Sequence, residues 1–84
     1  MRILIVEDEK NLCDMIGKSL HSAGYEVDLC YDGEDALEMI YAEKYDLIVL
    51  DLNLPGVDGM EILRELRKEN EETKVLILSA RSQI

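Results

Sequence analysis

The sequence predicts an α/β domain built on a parallel sheet of strand order 2-1-3-4, and three observations carry that expectation. Three short apolar runs, Ile3–Val6, Leu47–Leu50 and Val75–Leu78, lack alternation and read as strands covered on both faces. A fourth run, Tyr25–Cys30, does alternate: Glu26 and Asp28 separate Tyr25, Val27 and Leu29, the mark of a half-exposed edge strand. Segments with apolar residues at helical spacing fill the intervals. Alternation of strands and helices in this manner gives parallel pairing with right-handed crossovers.

The first strand ends in Glu7-Asp8-Glu9, where Asp8 or Glu9 is placed to cap the helix that follows. Leu12, Ile16 and Leu20, with Met15 and Ala23 beside them, form its inward stripe, and Ala23-Gly24 its stop. Gly17 lies inside this helix and costs it about 1 kcal/mol relative to Ala, so the helix depends on packing. The polar second strand ends at Asp32-Gly33. Ala36, Leu37, Ile40 and Tyr41 then make the apolar side of a second helix that reaches about Lys44. The third strand stops at Asp51, and Pro55-Gly56 imposes a turn, Pro by fixing φ and Gly by accepting positive φ. The third helix spans about Gly59 to Asn70, with Ile62, Leu63 and Leu66 inward. Glu61, Arg64, Glu65, Lys68 and Glu69 form its solvated side, with a favourable Glu61–Arg64 spacing. The fourth strand, Val75–Leu78, has an interior strand's composition, yet only Ser79–Ile84 follow it. The sequence reads as ending before its fold is complete.

Eighty-four residues make one small domain, and 48% hydrophobic residues supply a core, so disorder is excluded despite a formal charge of −10. That charge argues against direct contact with nucleic acid or an anionic membrane. No apolar run approaches membrane-spanning length. Cys13 and Cys30 lie in apolar surroundings with no secretory leader ahead of them, which points to buried free thiols and a cytoplasmic protein.

With the polar strand at an edge, the chain reverses direction between strands 1 and 3. The carboxyl tips of these two strands carry Glu7-Asp8 and Asp51-Asn53, at the switch point where open α/β sheets place their ligands. Three carboxylates in reach of one another repel unless a cation lies between them. Oxygen ligands of this kind, with a backbone carbonyl and water, suit Mg²⁺. Beside such a metal an ionised Asp can attack phosphorus. The hydroxyl of Ser79, at the tip of strand 4, shares the rim and can bond a phosphoryl oxygen, aided by the N–H of Ala80. Each feature alone has a plainer reading. Asp after a strand caps a turn, Ser79 caps whatever follows, and Glu7-Asp8-Glu9 begins a helix in a way that suits its dipole. Their coincidence at strand tips favours metal-dependent phosphoryl transfer.

Ile3-Leu-Ile-Val-Glu-Asp-Glu9, Asp51-Leu-Asn-Leu-Pro-Gly-Val-Asp-Gly59 and Leu78-Ser-Ala80 together resemble the receiver domains of two-component response regulators. The resemblance extends over the whole chain, and Leu54–Leu63 is most similar to regulators that carry a winged-helix DNA-binding domain. It implies a flavodoxin-like fold, in keeping with the order 2-1-3-4. It also implies that Asp51 is the phosphoacceptor, taking its phosphoryl group from a phosphohistidine on a sensor histidine kinase, so that the domain is a signalling substrate and not an enzyme. Asp8 would ligate Mg²⁺ directly and Glu7 through water, with Asp51 and the Asn53 carbonyl completing the protein ligands. Ser79 would turn toward the acyl phosphate with the Ala80 N–H beside it, and the surface beyond strand 4 would repack for an output domain.

Receivers continue through a fourth helix, a fifth strand ending in Lys, and a fifth helix. The chain is therefore expected to be a partial receiver, residues 1–84, ending at the start of the fourth helix. None of Lys10, Lys18, Lys44, Lys68 and Lys74 matches the family's lysine by motif. Phosphorylation of Asp51 is expected to be weak or absent, and strand 4 and the uncovered helix faces are expected to drive self-association. Two other classes compete. A haloacid-dehalogenase-type phosphatase would want an acid where Asn53 stands. A flavodoxin-like binding module, or an inactive folding fragment, would need none of this chemistry.

Overall fold

In the computed structural model, which describes residues 1–70 and 72–78, seven elements alternate along the chain. They are β1 (Arg2–Val6), α1 (Lys10–Ser22), β2 (Glu26–Cys30), α2 (Gly33–Ala42), β3 (Leu47–Leu50), α3 (Gly59–Glu69) and β4 (Lys74–Ile77). All strand pairs are parallel and the order is β2-β1-β3-β4, as expected.

The pleat explains the unbroken apolar runs. Ile3, Ile5 and Val49 face α1 with Cys13, whereas Leu4, Val6, Ile48 and Leu50 face the other way, against Ala36 and Ile40 of α2 and Ile62 and Leu66 of α3. Both cysteines are free and buried. They sit in different clusters, Cys13 with α1 and Cys30 with α2 and α3.

Several helix details differ from the sequence reading. In α1 the buried residues are Cys13 and Gly17, with Ile16 and Leu20 beside them, so the inward stripe is rotated from the expected one and Met15 is exposed. A Cβ at Gly17 would lie 2.6 Å from Leu29 Cδ2, so this glycine lets the edge strand pack closely on the helix. Helix α2 ends at Ala42 rather than Lys44. Tyr41 is exposed and outside the core, its hydroxyl donating to Glu65 Oε1 at 2.8 Å across to α3. Glu9 holds the N-cap position of α1 without a side-chain cap. Asp32 and Asp58 do cap α2 and α3, accepting from the N–H groups of Asp35 at 2.9 Å and Met60 at 3.0 Å. The Glu61–Arg64 pair forms at 2.8 Å on the solvated side of α3.

Strand β4 starts at Lys74, one residue before the expected Val75. It lies at the sheet margin, with Leu76 54% and Ile77 40% exposed despite the strand's interior composition. Among the described residues no strand pairs with its outer edge. Ser79, Ala80 and the expected start of a fourth helix lie outside the described residues. No helix among the described residues is long and apolar enough to cross a membrane.

Candidate functional site

The strand ladders run on past β1 and β3 and bring two acids together. Asp51 N–H donates to the Val6 carbonyl at 2.9 Å, and Glu7 N–H donates to the Cys30 carbonyl at 3.0 Å. The residues one step beyond each central strand are therefore neighbours, Glu7 5% and Asp51 8% exposed at the carboxyl edge of the sheet. Asp8 follows on the exposed side. One ligand oxygen from each of Glu7, Asp8 and Asp51 lies within 4.8 Å of the others, the cluster expected from the topology.

Each carboxylate is held by local backbone. Glu7 Oε2 accepts from Glu9 N–H at 2.9 Å, and Asp51 Oδ1 accepts from Asn53 N–H at 2.9 Å. The second bond fixes the start of the loop from Leu52 to Asp58. Gly56 takes φ +75°, as a Pro-Gly turn requires, and Gly59 N–H closes the loop onto the Leu52 carbonyl at 3.3 Å. A Cβ at Gly59 would lie 2.6 Å from Leu52 Cα and 2.7 Å from the Asp51 carbonyl oxygen, so only glycine admits this approach of α3 to the acid.

Burial pushes the Glu7 carboxyl up to about 6; the Glu9 N–H opposes the shift, and the nearby Asp51 charge adds to it. Two buried acids in contact make an electrostatic deficit that a cation would relieve. Arg2, Arg64 and Lys68 form their ion pairs elsewhere in the fold. The donor set fits a hard divalent cation: three carboxylates on two adjoining strand tips, two buried and Asp8 exposed. Glu7, Asp8 and Asp51 are thus brought to one place, and Asn53 adjoins them through its N–H on Asp51 Oδ1. Ser79 and Ala80 fall outside the described residues.

Sequence reasoning missed a polar network at the opposite end of the sheet. The Tyr45 hydroxyl donates to Asp28 Oδ2 at 2.6 Å, and Arg2 Nη2 reaches the same oxygen at 3.0 Å. The Tyr45 hydroxyl, then Arg2, hold the Asp28 carboxyl below the usual carboxylate range. No local signal marks three residues so far apart in sequence, since Asp28 reads there only as a polar position of an edge strand. A cavity of about 530 Å³ lies at this end, where Lys44 and Lys74 alternate with Asp46 and Glu72, so its lining selects neither charge.

Residues 3–84 match the response regulator receiver domain family. The chain is 45% identical over 83 residues to the transcriptional regulatory protein DltR of Streptococcus agalactiae serotype III, an alignment that covers 99% of this chain and 37% of DltR. It therefore spans 37% of the length of the curated relatives it matches. Its fold is similar to that of the response regulator TrrA of Thermotoga maritima in complex with Mg²⁺-BeF, with a TM-score of 0.89 and 40% identity over 96% of this chain and 70% of that one. A structure of the histidine kinase ThkA in complex with TrrA holds a similar chain, with a TM-score of 0.86 and 39% identity over 98% of this chain and 71% of that one. On this match of sequence and fold, the chain belongs to the response regulator receiver domain family.

Proposed function

We propose that Asp51 accepts a phosphoryl group from a phosphohistidine on a sensor histidine kinase, at a Mg²⁺ site made by Glu7, Asp8, Asp51 and the Asn53 carbonyl. The observation that carries the reading is the convergence of three carboxylate oxygens within 4.8 Å at the tips of the two central strands. The complex of TrrA with Mg²⁺-BeF and its complex with a histidine kinase support the metal and the partner. Mg²⁺ supplies the positive charge that lets an anionic nucleophile meet an anionic phosphoryl group. Asp51 attacks phosphorus, the P–N bond breaks, and the imidazole nitrogen leaves with the electron pair and takes up a proton. The Asn53 N–H keeps Asp51 Oδ1 oriented throughout. The chain is consumed as a substrate and regenerated by hydrolysis, so it is a signalling domain and not an enzyme acting on a separate molecule. By likeness to DltR, the phosphorylated state is read by a transcriptional output.

The same reading includes self-association through the β4 edge that no described strand pairs, where Leu76 and Ile77 are exposed. It also includes low phosphoryl occupancy, because none of Lys10, Lys18, Lys44, Lys68 and Lys74 matches the family's lysine by motif. Incubation with acetyl phosphate and Mg²⁺, followed by intact mass, tests it. The expected result is a substoichiometric phosphoryl adduct that disappears with chelator and in Asp51→Asn. An adduct that survives in Asp51→Asn contradicts the assignment.

A further inference from the structure

We propose that Gly33, the first residue of α2, is a positioning residue for the loop that carries Asp51 and Asn53. The inference rests on the reading of that loop as the Mg²⁺ and phosphoryl site. The near end of the loop is held by the ladder bond from Asp51 N–H and by the Asn53 N–H on Asp51 Oδ1. Its far end rests on α2. A Cβ at Gly33 would overlap the carbonyl oxygen of Val57 and lie 2.8 Å from Val57 Cβ and 3.1 Å from its carbonyl carbon. These are backbone atoms and a branched Cβ, none of which can rotate aside.

Gly33 cannot retreat either. The carboxylate of Asp32 accepts from Asp35 N–H at 2.9 Å, and its carbonyl accepts from Ala36 N–H at 3.1 Å and from the Cys30 thiol at 3.1 Å. Ala36 and Ile40 are buried against the sheet, which pins the rest of the helix. Any side chain at position 33 therefore lifts Val57. On the other side, Gly59 is packed against Leu52 Cα and the Asp51 carbonyl, which blocks a compensating shift of α3. The displacement falls on the segment from Asn53 to Gly56, in which Pro55 has a fixed φ. The orientation of Asn53, and with it the hold on Asp51, depends on a hydrogen atom at residue 33.

The test is a titration of amide resonances with MgCl2 in the wild-type chain, Gly33→Ala, Gly17→Ala and Val57→Gly, with a urea midpoint for each. Gly17→Ala is the control, since its added methyl meets only the movable Leu29 side chain. Wild type and Gly17→Ala are expected to bind Mg²⁺ alike. Gly33→Ala is expected to bind at least about tenfold more weakly, the usual cost of disturbing the groups behind metal ligands. Its Asn53 amide is also expected to shift before metal is added. If Gly33→Ala does not fold, Val57→Gly carries the test: it keeps the backbone atoms that meet Gly33 but removes the branched Cβ and side chain that seat the loop's far end, and loosening the loop is expected to weaken Mg²⁺ binding too. Wild-type affinity in a folded Gly33→Ala, or in Val57→Gly, overturns the proposal. A flat titration of the wild-type chain overturns instead the site reading beneath it.

Discussion

Replacing Glu7 by Gln is expected to make the metal-free protein more stable. The carboxyl is buried beside Asp51 and titrates at about 6 rather than 4.5, so the folded state holds its proton more tightly than the unfolded chain does. The sign follows from linkage: across the window from about 4.5 to about 6 the folded state binds more protons, and stability falls as pH rises. Above that window the penalty is complete. A gap of about 1.5 pH units corresponds to about 2 kcal/mol. Gln has the same shape, and its Oε1 still accepts from Glu9 N–H, so it removes the charge with little else. Urea unfolding in chelator, followed by circular dichroism at fixed protein concentration, should show Glu7→Gln more stable at pH 7 by up to about 2 kcal/mol. The advantage should vanish near pH 4, where both side chains are neutral. Adding Mg²⁺ should stabilise the wild type and shrink the difference, since a ligand that binds only the folded state raises its stability. A Glu7→Gln protein no more stable than wild type at pH 7 in chelator would refute the claim that burial strains this acid.

Tyr45→Phe removes the hydroxyl that most depresses the Asp28 carboxyl. Because Asp28 side-chain atoms are 30% exposed, the expected loss at pH 7 is about 1–2 kcal/mol. A depressed folded-state pKa stabilises above the ordinary value of about 3.9 and ceases to do so below it, so the loss should fade in acid unfolding below about pH 4. Leu76→Lys, on the exposed edge strand, should shift sedimentation toward monomer, with stability of the monomer changed by no more than about 0.5 kcal/mol. Cys13 and Cys30 point to opposite faces of the sheet, so mild oxidation of the folded chain should leave two titratable thiols per monomer on later denaturation and no intramolecular disulfide.

The sheet was legible because Ile3–Val6 and Leu47–Leu50 must satisfy two covered faces at once, a demand that leaves no polar position. The acidic site was legible for a related reason. Once the alternating Tyr25–Cys30 segment is placed at an edge, topology alone puts Glu7 and Asp51 on adjacent strand tips. Finer features depended on packing that spacing does not encode. Met15 and Tyr41 extend their helices' apolar stripes, yet both are exposed, because the covered strip is narrower than the apolar one. The bond from Tyr45 to Asp28 joins residues 17 apart and depends on the parallel register of β1 and β2. The interior composition of β4 signals that its faces want cover without saying what covers them. The weight of Gly33 and Gly59 comes from backbone atoms that approach them from Val57 and Asp51, contacts that their own neighbours in sequence do not reveal.

The most direct test of the central claim is to trap the acyl phosphate itself. An aspartyl phosphate is reduced by borohydride to homoserine, whereas phosphate on a hydroxyl or imidazole is not. After exposure to phosphoryl donor and Mg²⁺, reduction and peptide mapping should place homoserine at residue 51 and at no other acid. Homoserine at residue 8, its one-carbon-longer homologue 2-amino-5-hydroxypentanoate at residue 7, or phosphate found only on a residue other than an acid, would contradict the account.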